Sequence, residues 1–81
     1  MKKYYTNKEV AIIAEGLGYK NTGKRSKGQP VYYHKKNKNY ITHDIDSHNG
    51  GFWKMAKTIN GLKSKKTRLG TYDKDLNRIG D

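Results

Sequence analysis

Asp44, Asp46 and His48 occupy alternate positions of the stretch "THDIDSHNGG" (residues 42–51), and Lys54 follows shortly after. Side chains alternate faces along a β-strand. A strand from Tyr40 to His48 therefore presents Tyr40, Thr42, Asp44, Asp46 and His48 on one face, and Ile41, His43 and Ile45 on the other. The isoleucines are expected to pack against a helix, leaving both carboxylates and the imidazole on an open face. Carboxylate and imidazole groups set among cations suit general acid–base chemistry on a phosphodiester. RNA carries its own nucleophile, the 2′-hydroxyl. Its cleavage needs a base for that proton, an acid for the departing 5′-oxygen, and a cation for charge developing on phosphate. His48 supplies an imidazole, a side chain suited to act as acid or base near neutral pH. Asp44 or Asp46 serves as base or orients the imidazole, and Lys54, reaching back over the same face, neutralises the phosphate. The products are a 2′,3′-cyclic phosphate and a 5′-hydroxyl, with no metal or other cofactor required. The same Asp, Asp and His could instead ligate Mg²⁺ or Mn²⁺, but the surrounding positive charge disfavours a dication. Ordinary solvated residues paired with lysines are the bland alternative. His34 and His43 read as structural or RNA-contacting.

The charge points to the same partner class. Eighteen Lys and Arg oppose seven Asp and Glu in 81 residues, a formal net charge of +11. Self-repulsion on this scale is offset when the partner is a polyanion. The cations are spread along the chain among seven tyrosines, Phe52 and Trp53, a mixture that suits base stacking beside phosphate contacts. Lys24, Arg25, Lys27, Tyr33, Lys35, Trp53 and Arg68 are the candidate RNA-binding residues. No long amphipathic basic helix directs the charge to a membrane surface, and no apolar run approaches the roughly 20 residues of a membrane anchor. No signal-peptide pattern opens the chain. The absence of cysteine removes disulfides and thiolate metal sites.

These groups need a scaffold, and 81 residues provide for one domain with a small core. Thr6-Asn7-Lys8-Glu9 reads as a capping box. Val10, Ile13, Ala14 and Leu17 then share one helical face, and Gly16 and Gly18 stop the helix. Residues 1–20 thus form a helical N-terminal segment. "NTGKRSKG" (21–28) reads as a mobile basic loop. "PVYYHK" (30–35) and Tyr40–His48 form a hairpin about the turn "KNKN". Asn49-Gly50-Gly51 is a tight turn into a third strand, "FWKMA". Residues 57–66 form another basic loop, "TRLGTYD" a last strand, and Asp73–Asp81 a turn with a frayed end. The expected fold is α+β: a short N-terminal helix packed on a twisted antiparallel sheet of about four strands, spanning 21–81.

In this order the motifs resemble a family. The segment Gly23–Asp81, about three-quarters of the chain, resembles the ribonuclease domains of colicins that cleave small-subunit (16S) ribosomal RNA. It also resembles the related toxin tips of contact-dependent growth inhibition effectors. A basic "GKRSKG" precedes the aromatic "VYY", the acidic "DIDSHNG" follows, and "LGTYDKDLNRIG" is similar to the family's Leu-Gly-Ser-Phe-Asp turn with a later Asn and Gly. The resemblance implies a twisted antiparallel sheet that enters the ribosome decoding region and cuts one phosphodiester. It further implies an acidic immunity protein and a secreted or surface-delivered effector acting in the target-cell cytoplasm. His48 matches the family's catalytic histidine and Asp46 or Asp44 its preceding aspartate, with Lys54 or Arg68 as the phosphate-binding cation. Where the colicins place a catalytic glutamate four residues after the histidine, this chain has Phe52, so the base must come from elsewhere. Residues 1–20 have no counterpart there. A more distant likeness is to the messenger-RNA-cleaving toxins of toxin–antitoxin pairs, which carry a second, C-terminal helix. A non-catalytic RNA- or ribosome-binding module is the contrasting expectation.

Overall fold

The computed structural model describes residues 5–45 and 51–80. Asp46 and His48, and Asn49 and Gly50 of the expected tight turn, lie outside the described residues. Among the described residues one α-helix, α1 (Asn7–Gly16), precedes six strands: β1 (Lys20–Ser26), β2 (Gln29–His34), β3 (Asn39–His43), β4 (Trp53–Ala56), β5 (Arg68–Tyr72) and β6 (Arg78–Gly80). A 3-10 helix (Asn60–Lys63) stands between β4 and β5. The strands form one antiparallel sheet in the order β1-β2-β3-β4-β5-β6. The α+β class stands, with six strands where about four were expected.

The helix begins and ends as the sequence dictates. The Glu9 amide donates to Thr6 Oγ1 (3.1 Å) and the Thr6 amide to Glu9 Oε1 (2.8 Å), a reciprocal cap that satisfies two otherwise unpaired donors. At the other end the Gly18 amide donates to Glu15 O and the Tyr19 amide to Ala14 O, both at 2.9 Å, which closes the helix with a Schellman motif. Gly18 sits at φ +88°, and a Cβ there would meet His34 Nε2 at 2.8 Å. Backbone angle and space both demand glycine.

Two cores lie on opposite faces of the sheet. Val10 and Ala14 of α1 pack with Tyr19, Tyr32, Ile41, Phe52, Trp53 and Met55. On the other face Val31 and Ala56 pack with Leu62 of the 3-10 helix. The second cluster corrects the expected open face: the 3-10 helix, in a segment expected to be plain loop, covers it centrally. Ile41 packs toward α1 as expected, whereas Ile45 is 59% exposed, because β3 ends at His43 and the alternation no longer holds beyond it.

Two further expectations are corrected. Residues 21–26, read as a mobile loop, belong to β1. This is an edge strand with no apolar side chain, paired on one side with β2 and interrupted by an irregularity between Asn21 and Arg25. A two-residue turn joins it to β2, with Lys27 at φ +49° and Gly28 at φ +82°, the pair of left-handed angles a type I′ hairpin requires. Residues 78–80, read as a frayed end, form β6. A β-carbon on Gly70 would lie 2.7 Å from Gly80 O, so glycine permits the close approach of β5 and β6.

Candidate active site

The register of β3 and β4 builds the site. Thr42 stands directly opposite Lys54, with Val31 on the far side of Thr42 and Thr71 on the far side of Lys54. Beyond the last formal strand pair the ladder continues: the Asp44 amide donates to Phe52 O and the Phe52 amide to Tyr72 O, both at 2.8 Å. These bonds fix the Asp44 backbone across three chain segments. Thr42 and Lys54 share a face as a directly opposed pair, and Lys54 Nζ approaches Asp44 Oδ1 to 3.9 Å, which brings the carboxylate to the same side. That separation is too long for a hydrogen bond, so the attraction is coulombic, and a phosphate oxygen can compete for the ammonium. Asp44 is only 8% exposed. The sequence placed it on the correct face but in solvent. Partial burial strengthens its interaction with Lys54 beyond that of a surface pair.

Beside the pair lies a small cavity of ≈ 50 Å³ lined by Ser26, Lys27, Gln29, Thr42 and Lys54, among others. Lys27 reaches it from the β1–β2 turn, so the basic "GKRSKG" segment is brought to the acidic strand by the hairpin. Thr42 is buried and its hydroxyl donates to Pro30 O (2.9 Å), tying β3 to β2 beneath the pair. Ser26 and Gln29, which face each other at the base of the turn, carry no motif. Only the pairing register reveals their position.

The remaining candidates are dispersed. Lys24, Arg25 and Lys35 are exposed, and Arg25 donates to Gly28 O (2.9 Å), bracing the turn. Tyr33 is half-buried on the face that carries Lys54, opposite Tyr40. Arg68 is half-buried and stands across from Ala56. Trp53 corrects the sequence analysis. Its relative exposure is 0%, its ring is edge-on to Tyr32 and Phe52, and its indole N–H donates to Lys74 O (3.1 Å). No ring face is free for a base. Asp46 and His48, both placed in the catalytic set by the sequence, lie outside the described residues.

Phe52 is a core residue, and His43, half-buried, packs against it and lines the small cavity. Phe52 packs against Tyr5, His43 and Trp53, so the position at which the colicin resemblance would place a glutamate is instead apolar packing. Burial pushes the His43 pKa below its ordinary value, against a weaker upward pull from the Asp44 carboxylate. The neutral imidazole is the form that packs against these rings. His34 accepts a hydrogen bond from the Asn37 amide at Nδ1 (3.0 Å) and lies edge-on to Tyr19, a structural placement.

Comparison with known proteins agrees with this architecture. The chain is 46% identical over 81 aligned residues to the 16S rRNA endonuclease CdiA of Enterobacter cloacae subsp. cloacae, an alignment that takes in 91% of this chain and 2% of that protein. The chain thus spans a small fraction of the relative's length. It also superimposes on a chain of the CdiA-CT/CdiI toxin and immunity complex from Enterobacter cloacae, with a TM-score of 0.61 and 42% identity, covering 95% of this chain and all of the other. These matches bear out the resemblance to contact-dependent growth inhibition toxins. The family described as Novel toxin 21 matches residues 12–81, from the middle of α1 through β6 to the last residue, and this chain belongs to that family.

Proposed function

We propose that the chain is an endoribonuclease toxin domain that cleaves small-subunit (16S) ribosomal RNA by acid–base catalysis without a metal. The observation that carries this reading is the 46% identity to a relative named a 16S rRNA endonuclease. The geometry that supports it is the Lys54–Asp44 pair, with Lys54 and Lys27 lining one small cavity. In the reaction, Asp44 or Asp46 accepts the 2′-hydroxyl proton as that oxygen attacks phosphorus. His48 delivers a proton to the departing 5′-oxygen, and Lys54 stabilises charge on the phosphoryl oxygens. A 2′,3′-cyclic phosphate and a 5′-hydroxyl result. The net positive charge of the chain disfavours a dication at this carboxylate cluster and favours the ribosome as partner. An acidic immunity protein is the second partner, by analogy with the toxin and immunity complex that this fold matches. The domain acts after delivery into the cytoplasm of a target cell.

The test uses purified ribosomes incubated with the protein and with His48→Ala, each with and without EDTA. The expected result is a discrete fragment of small-subunit RNA that survives chelation and is lost in the variant. Intact RNA in every lane overturns the enzymatic reading and leaves a binding module. Cleavage abolished by EDTA overturns the metal-independent mechanism.

A further inference from the structure

A second feature of the same sheet face lies away from the Lys54–Asp44 pair. Cross-strand pairing sets Lys20, Tyr33, Tyr40, Ala56 and Arg68 in one row from β1 to β5. Residues directly opposite on antiparallel strands share a face, so this row presents a cation at each end with two tyrosines between. The Tyr33 and Tyr40 rings lie 4.6 Å apart, tilted by 41°. Tyr40 in turn packs against the Val31, Ala56 and Leu62 cluster, which anchors the pair on the core. Toward the β1 edge, Tyr33 lines a recess of ≈ 580 Å³ together with Gly18, Lys20, Asn21, Thr22 and Lys35. The floor is aromatic, and the rim carries two exposed lysines and an asparagine.

From this arrangement we infer that the Tyr33 recess is a nucleobase-stacking subsite, which holds one unpaired base of the RNA on the Tyr33 ring while Lys20 and Lys35 contact the flanking phosphates. The inference rests on the proposed ribonuclease reading, and it names how the substrate is held away from the scissile bond. Four properties favour RNA as the occupant. The ring is preordered by Tyr40, which lowers the cost of fixing it on binding. Cations flank it from β1 (Lys20) and from the turn that follows β2 (Lys35), as polyanion binding requires. The recess volume falls within the range of small-molecule sites, large enough for a base. Tyr40, opposite Tyr33, stands four residues from Asp44 on the β3 segment, which is about 13 Å along a strand. A base seated at Tyr33 therefore belongs to a nucleotide near, but not at, the bond being cut. Base–aromatic stacking tolerates any sequence, so the subsite adds affinity and register while leaving the choice of bond to the reacting groups.

The test is the binding of a labelled single-stranded RNA oligonucleotide, and of an abasic oligonucleotide of equal length and charge, to the full chain. Tyr33→Ala, Tyr33→Leu and Tyr33→Phe are compared with the original protein, and each is checked for native circular dichroism. Removal of the ring should weaken RNA binding about 5- to 100-fold in Tyr33→Ala and Tyr33→Leu, without changing the salt slope, because stacking releases no counterions. Tyr33→Phe should retain binding within about threefold, and the abasic strand should bind all four proteins alike. If Tyr33→Ala fails to fold, Tyr33→Leu against Tyr33→Phe still decides. Equal RNA affinity in those two variants overturns the subsite, as does an equal loss with the abasic strand. Ribosomal RNA cleavage by the original protein is assayed in parallel. Cleavage with no Tyr33 effect refutes the subsite alone, whereas no cleavage and no RNA binding refutes the functional reading beneath it.

Discussion

Lys54 and Asp44 form a diagonal pair across β3 and β4, with Nζ 3.9 Å from Oδ1 and side-chain exposures of 16% and 12%. The two charges are shielded from solvent and not joined to each other by a hydrogen bond, so the Lys54 ammonium can also attract a phosphate oxygen.

Replacement of either member should therefore cost activity more than stability. Lys54→Met should reduce ribosomal RNA cleavage about 10²–10³-fold, the effect of removing one stabiliser of transition-state charge. Asp44→Asn should reduce it about 10²-fold or more if Asp44 is the base. Each should lower unfolding free energy by about 1 kcal/mol, the scale of a partly exposed ion pair. Cleavage rates on purified ribosomes, together with urea unfolding, check both values. Undiminished rates in both variants would remove the pair from the mechanism.

Trp53 is a stability residue. Trp53→Ala should cost about 3–5 kcal/mol, comparable to the whole net stability of a small single-core domain, and should leave the chain largely unfolded by far-ultraviolet circular dichroism. Trp53→Phe should fold and bind single-stranded RNA with unchanged affinity. A specific loss of RNA binding in folded Trp53→Phe would contradict a purely internal role.

The β1 edge and its turn should supply phosphate contacts. Simultaneous replacement of Lys24, Arg25 and Lys27 by Gln should reduce the slope of log affinity against log salt by about 2, at roughly 0.7 per phosphate contact on single strands. Titration of a labelled RNA at several salt concentrations measures this slope. An unaltered slope would mean that the hairpin points away from the nucleic acid.

Stability should fall in mild acid because of His43. Its pKa is held down by burial, so between the folded value and the ordinary 6.5 of the unfolded chain the unfolded state binds the extra proton. Linkage then makes the contribution complete above about pH 6.5 and progressively lost as pH drops below it. Melting temperatures between about pH 7.5 and about pH 5 should decline, and His43→Phe, which keeps a ring against Phe52 and Trp53, should flatten that decline. A decline of equal steepness in the variant would assign the effect to another group.

The sequence made some elements legible and hid others for identifiable reasons. The capping box at Thr6 and the stop at Gly18 depend on local chemistry, and both appear as read. The Tyr40–His43 alternation also holds, because side chains on both faces of β3 are packed. Lys20–Ser26 concealed a strand because its burial pattern contains no apolar residue, and its order derives from pairing with β2. Trp53 read as a base-stacking aromatic because composition cannot distinguish a tryptophan turned inward from one turned outward. Ile45 was placed in the core by extending a period of two past the residue where the strand ends. The approach of Lys27 to Lys54 depends on hairpin register, which no spacing along the chain encodes.

The sheet is a plain meander in which every strand bonds only to its neighbours in sequence. Such contacts close short loops, and chains dominated by them fold quickly. A polypeptide of this design that had been drawn out into a line could zip up hairpin by hairpin from either end, without waiting for a distant segment to arrive. What must wait is the seat of α1, whose Val10 and Ala14 pack on residues drawn from β2, β3 and β4 together.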